Sequence, residues 1–246
     1  MDILSESFIA LRRNAAAVAL YVFGISGLNA AAVAVRVLTE DWFKQEAHAQ
    51  FAHTYTVLSS VFLVIVVSLA QVVTFAKLGA DIDRPLWRVS GVREAITRFF
   101  RIWLILNLLI MATVSLPELI ADGPAGDGLK ELILLLYVTL VVVCVPMGAC
   151  VMFRGPETLE EASRCFSPLL HELPRTLLLF LLGALTIVME LSYYGIRESM
   201  PSKWTAVSLS LLLFAVSSFI ECFVFAGTWL ICMTHREHGE DTDFDF

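Results

Sequence analysis

Long apolar runs separated by short polar segments set the pattern of this chain. Six of them approach or exceed the roughly 20 apolar residues that a helix needs to cross a hydrocarbon core about 30 Å thick. They span about Asn14–Val37, Thr54–Leu78, Ile102–Leu116, Glu131–Phe153, Thr176–Tyr194 and Thr205–Met233. None alternates polar and apolar positions as a barrel strand does. Helices are therefore predicted, because each satisfies its own backbone hydrogen bonds in lipid. The third run is the shortest, closed early by Pro117 and Glu118, and could begin as far back as Phe99.

Three shorter segments have helical periodicity and precede the first, third and fifth runs: Asp2–Arg13, Trp87–Arg101 and Glu157–Leu173. In the second, Val89, Val92, Ile96, Phe99, Phe100 and Trp103 fall on one helical face, with Glu94, Arg98 and Arg101 opposite. Such a face suits a helix lying at a membrane surface. The expected fold is all-α and integral to the membrane: six transmembrane helices as three hairpins, with cytoplasmic interfacial amphipathic helices. The alternative is that these segments extend the spans.

Composition agrees with the pattern. Apolar residues make up 58% of the 246 residues and charged residues 17%, against about a quarter charged in soluble domains. Mean hydropathy is +0.76. Twelve of the seventeen Lys and Arg residues fall on one side if the N-terminus is cytoplasmic, leaving Arg36, Lys44, Lys130, Arg197 and Lys203 on the other. The positive-inside rule then puts both termini in the cytoplasm. Arg12-Arg13 before an Ala-rich run is read as a retained signal-anchor, although Asn29-Ala30-Ala31-Ala32 has the small residues of a cleavage site. The net charge of −7 offers nucleic acid no basic face. Residues 1–236 form one membrane domain, and the acidic segment 237–246 is expected to be a disordered cytoplasmic tail.

Polar groups inside spans are costly and point to function. Gln71, Asn107, Pro146 and Glu221 all fall within a turn or two of one depth in the inner half. They are expected to form a polar layer in which a protonated Glu221 is hydrogen-bonded by Gln71 or Asn107, with Pro146 freeing the carbonyl of Val142. Glu190 is a second intramembrane carboxyl, roughly 15 Å away in depth at about 1.5 Å per residue, and not a direct partner. Gly24, Gly27 and Ala31 make a small-residue packing face on the first span. Trp42 and Trp204 fit the outer interface, Trp87 and Trp103 the inner one.

Candidate chemistry ends there. His48 and His53 do not share a helical face, His235 and His238 sit in the charged tail, and Cys144, Cys150, Cys165, Cys222 and Cys232 include no C-x-x-C pair. No metal, cofactor or catalytic residue is predicted, since neither a nucleophile elbow nor a phosphate loop is present.

Ser5-Glu6-Ser7-Phe8-Ile9-Ala10-Leu11-Arg12-Arg13-Asn14 resembles the opening of bacterial six-span proteins related to the membrane domain of glycerophosphodiester phosphodiesterases. Leu159-Glu160-Glu161-Ala162-Ser163-Arg164-Cys165-Phe166 resembles a second copy. The resemblance implies a fold and no activity, because phosphodiesterase chemistry does not reside in that membrane region. The functional expectation is a non-catalytic scaffold or accessory subunit of a larger membrane assembly. Its partners would be membrane lipids and other membrane subunits or further copies of itself. A small permease or channel using the polar layer is the alternative.

Overall fold

The computed structural model describes residues 3–43, 49–83, 91–120, 124–155, 165–197, 200 and 202–240. These are helical almost throughout, and the described residues include no strand. In chain order the helices are α1 (Ile3–Arg13), α2 (Ala15–Phe43), α3 (Ala49–Ile82) and α4 (Val92–Ser115). A single 3₁₀ turn (Leu116–Leu119) leads to α5 (Pro124–Arg154), followed by α6 (Ser167–His171), α7 (Leu173–Arg197) and α8 (Lys203–Glu240). Six of these, α2, α3, α4, α5, α7 and α8, are long and apolar enough to cross a membrane. Large apolar side chains such as Leu20, Phe23, Leu58, Leu135 and Leu181 cover the outside of the bundle. Water would not tolerate that surface, and lipid does. This is a multi-pass membrane protein.

The long helix α8 is the hub: it touches α1, α2, α3, α5, α6 and α7, and its pairing with α2 is the most extensive in the molecule. Chain neighbours α2/α3, α3/α4, α4/α5 and α7/α8 also lie against each other. Asn14 breaks α1 from α2. Its side-chain amide donates to the Ala10 carbonyl at 3.1 Å, while its own carbonyl accepts the amides of Ala17 and Val18. α1 thereby folds back onto α8, burying Ile3, Ser7, Ala10 and Leu11 and leaving Leu4, Phe8, Arg12 and Arg13 exposed.

The other two amphipathic segments turn out differently. α4 runs unbroken for 24 residues from Val92 to Ser115, so residues 92–101 continue the helix of the third span, as the alternative reading has it, and do not form a separate helix. No proline or glycine interrupts it, so nothing in its sequence ends the helix before Ser115. Ala95, Phe99 and Trp103 form its buried face, while Val92 is exposed. Of the third segment only residues from Cys165 are described, and α6 occupies just Ser167–His171. At the C-terminus α8 continues to Glu240, so 237–240 belong to a helix rather than a disordered tail; 241–246 lie outside the described residues.

Near the α1 end the bundle is packed around aromatic rings. Phe75 stacks on Phe225 with centroids 4.4 Å apart and also meets Trp103 and Tyr21. Trp229 meets Phe225 and Phe153. Glycines make room: a Cβ on Gly79 would sit 2.7 Å from the Trp229 ring, and one on Gly148 would collide with Trp103. Trp103 is 0% exposed and donates its ring N–H to the Met152 sulfur at 3.2 Å. It is a core residue and not the interfacial aromatic its position suggests. Gly155, in the left-handed region at φ 58, ends α5, and its carbonyl accepts Arg98 Nη2 at 3.2 Å, tying α5 to the start of α4.

Candidate functional site

Above the aromatic layer, four helices contribute a connected set of polar side chains. α3 presents Ser68 and Gln71, three residues apart and so on one helical face. Asn107 of α4 donates both amide hydrogens to them, to Ser68 Oγ at 2.9 Å and to Gln71 Oε1 at 2.7 Å. Ser68 in turn donates to the Val64 carbonyl. Gln71 is also a hydrogen-bonding neighbour of Glu221 on α8. Tyr21 of α2 donates its hydroxyl to Glu221 Oε2 at 2.5 Å. A carboxyl deep in a membrane needs such partners, because unpaired polar groups there cost several kcal/mol by the order of magnitude of transfer data, ~2–7 kcal/mol.

Glu221 faces two cavities. The smaller, about 60 Å³, is lined by Gln71, Asn107, Thr186, Gly183 and apolar side chains of α4, α5 and α8. The larger, about 180 Å³, reaches away from the α1 end and is lined by Asn29, Thr186, Glu190, Tyr193, Ser210, Ser217, Ser218 and Glu221, among others. Val141, Thr186 and Glu221 line both, so the cavities meet there. Tyr137 holds Glu190 through a 2.8 Å hydrogen bond to Oε2. No Lys, Arg or His lines either cavity.

Three of the four residues expected in the polar layer therefore come together: Gln71, Asn107 and Glu221. Pro146 does not join them. It is fully buried within α5, which stays helical through it, and lines neither cavity. The Val142 carbonyl one turn earlier lies 3.5 Å from where a Cβ on Gly183 of α7 would stand, and both residues line the smaller cavity. Glu190 makes no direct bond to Glu221 but shares a cavity wall with it.

Gly24, Gly27 and Ala31 do not pack inside the bundle. Gly24 and Ala31 are exposed, and no atom lies within 4 Å of a Cβ built on Gly24 or Gly27. The inward face of α2 is Val18, Tyr21, Ile25, Ala30 and Val37, whose larger side chains fill the contact with α8 and α3.

Sequence reasoning passed over Tyr21, Tyr137 and the serine stripe of α8. The stripe was nevertheless readable: Ser217, Ser218 and Glu221 follow Ser210 by seven, eight and eleven residues, about two and three helical turns. Thr186, Glu190 and Tyr193 repeat the device on α7. His48 and Glu46 lie outside the described residues, as does the side chain of His53. His235 packs its ring on His171 with centroids 5.0 Å apart. The five cysteines are buried thiols, Cys150 and Cys232 lying 3.5 Å apart between sulfurs. Among the described residues no group of three or more His, Cys, Asp and Glu converges.

Comparison of the chain with protein-family models, with curated proteins and with solved structures gives no match.

Proposed function

We propose that this protein is a small permease or channel of a bacterial inner membrane, without enzymatic activity, with both termini in the cytoplasm. The observation that carries this reading is the pair of cavities meeting at Glu221, walled by carboxyl, amide and hydroxyl groups from five helices. Helix packing alone does not require polar groups on a cavity wall, and transporters place such groups near the membrane midplane. Orientation is supported by Arg12, Arg13, Arg93, Arg98, Arg101, Arg154 and Arg175, which gather at the α1 end. Kinship with bacterial proteins related to the glycerophosphodiester phosphodiesterase membrane domain is part of the proposal as architecture only. The test is flux in proteoliposomes. Wild-type protein should conduct or exchange a small cation such as Na⁺, K⁺ or H⁺, and Glu221→Gln should reduce that flux by about tenfold or more, the factor that corresponds to about 1.4 kcal/mol. Absence of flux for all three with correctly inserted wild-type protein would sink the reading.

A second reading, a scaffold or accessory subunit, is favoured by the outward-facing Gly24, Gly27 and Ala31. Small residues let helices of separate chains approach closely in lipid. Native mass spectrometry from membranes tests it: Gly24→Leu should dissolve any assembly that uses this face and leave the monomer intact.

A further inference from the structure

We propose that the larger cavity beside Glu221 is a binding site for a small monovalent cation, an alkali metal ion or a protonated primary amine, entering from the end opposite α1. The inference deepens the permease reading and rests on it for the direction of entry, though not for its chemistry.

The wall supplies oxygen donors and no cationic group. Glu190 comes from α7, Glu221 and Ser210, Ser217 and Ser218 from α8, and Asn29 from α2. Each carboxyl is fixed by one tyrosine hydroxyl, Tyr137 on Glu190 and Tyr21 on Glu221. An anion would meet two carboxyls with no cationic group to balance them, whereas a cation finds a negative potential in a low-dielectric enclosure. Oxygen ligands of this kind suit hard cations.

Ser218 is the independent sign of a missing ligand. It is 3% exposed and lines the cavity, yet it makes no hydrogen bond to any described residue. Other buried serines of the spans bond back to their own helix: Ser26 to Val22, Ser68 to Val64 and Ser210 to Val207. Buried hydroxyls are almost always paired, so one left facing a polar cavity calls for an occupant.

The charge of that occupant follows from the carboxyl arrangement. Glu190 and Glu221 do not bond to each other, and no third acidic, His or Cys side chain joins them. Divalent ions are held by several converging carboxylates. A wall with two carboxyls that share no hydrogen bond, set among neutral hydroxyl and amide oxygens, matches a small singly charged cation.

The experiment uses the full chain in lipid nanodiscs. NaCl, KCl or methylammonium chloride replaces choline chloride at constant ionic strength while thermal unfolding is followed. At least one of the three should raise the Tm saturably. Glu221→Gln should weaken the apparent affinity by about tenfold or more. Ser218→Ala should weaken it by several-fold without changing the Tm in choline. A response to Na⁺ or K⁺ identifies an alkali ion, and a response to methylammonium alone identifies an amine. No saturable shift with any of the three overturns the inference, as does wild-type affinity in Glu221→Gln. Should that variant not fold, unchanged affinity in Ser218→Ala has the same force. Binding without flux supports the site and removes the permease reading, so the two failures are separable.

Discussion

The two halves of the bundle are built on opposite principles. Toward the α1 end, Phe75, Trp103, Phe225 and Trp229 interlock over glycines, with ring centroids 4.4 to 5.5 Å apart. Beyond Glu221, α7 and α8 carry hydroxyl side chains and, with α2, α3 and α5, enclose a cavity of about 180 Å³. Lipid supplies no hydrophobic drive between helices, so packing and hydrogen bonds hold them together. The α1 end obtains its cohesion from dispersion between large flat side chains. The opposite half forgoes that packing to keep a polar interior. Stability is concentrated in one half and chemistry in the other, with Glu221 at the junction.

Substitutions can break this contrast, and the largest effects belong to the aromatic half. Trp103→Ala removes the ring that fills the Gly148 notch and the bond to Met152. It should lower the unfolding free energy in mild detergent by about 3–5 kcal/mol. A loss under 1 kcal/mol, read by SDS titration, would mean the layer is not tightly packed. Gly79→Ala drives a methyl into the Trp229 ring and should cost about 1–3 kcal/mol on the same assay. At the junction, Tyr21→Phe leaves Glu221 without its hydroxyl donor, for a loss of about 1–3 kcal/mol. Restoring stability in the double variant Tyr21→Phe with Glu221→Gln would confirm that the penalty lies in the stranded carboxyl. In the cavity half, Ser218→Ala gives up no hydrogen bond and should stay within about 0.5 kcal/mol of wild type. A large loss there would show that the hydroxyl has a partner in the membrane.

Much of the architecture was legible because it depends on local composition. Apolar length located all six spans, with the third starting at Val92 rather than Ile102. That shift has a simple cause: Arg98 and Arg101 are exposed and read as the end of an apolar run, yet the helix continues through them, with Arg98 bonded to the Gly155 carbonyl that ends α5. Trp103 was misplaced for the same reason, since an aromatic close to arginines reads as interfacial. The polar layer was legible in Gln71, Asn107 and Glu221, because each is a costly residue in an apolar run. Tyr21 was not, since its bond to Glu221 joins residues 200 positions apart and nothing local encodes the α2–α8 pairing. Single serines in a transmembrane helix are inexpensive and carry no signal one by one. Only their helical spacing relative to Glu221 betrays the stripe. The exposed Gly24, Gly27 and Ala31 illustrate the converse: small residues announce close approach but not whether the partner is the same chain.

Hydroxyl-radical footprinting of the unmodified protein in nanodiscs tests the central asymmetry most directly, because oxidation marks side chains that touch water. Tyr193 and Phe214 of the cavity should be oxidised, while Phe75, Trp103, Phe225 and Trp229 should stay protected until unfolding. Protection of Tyr193 and Phe214 together with labelling of the aromatic layer would contradict it.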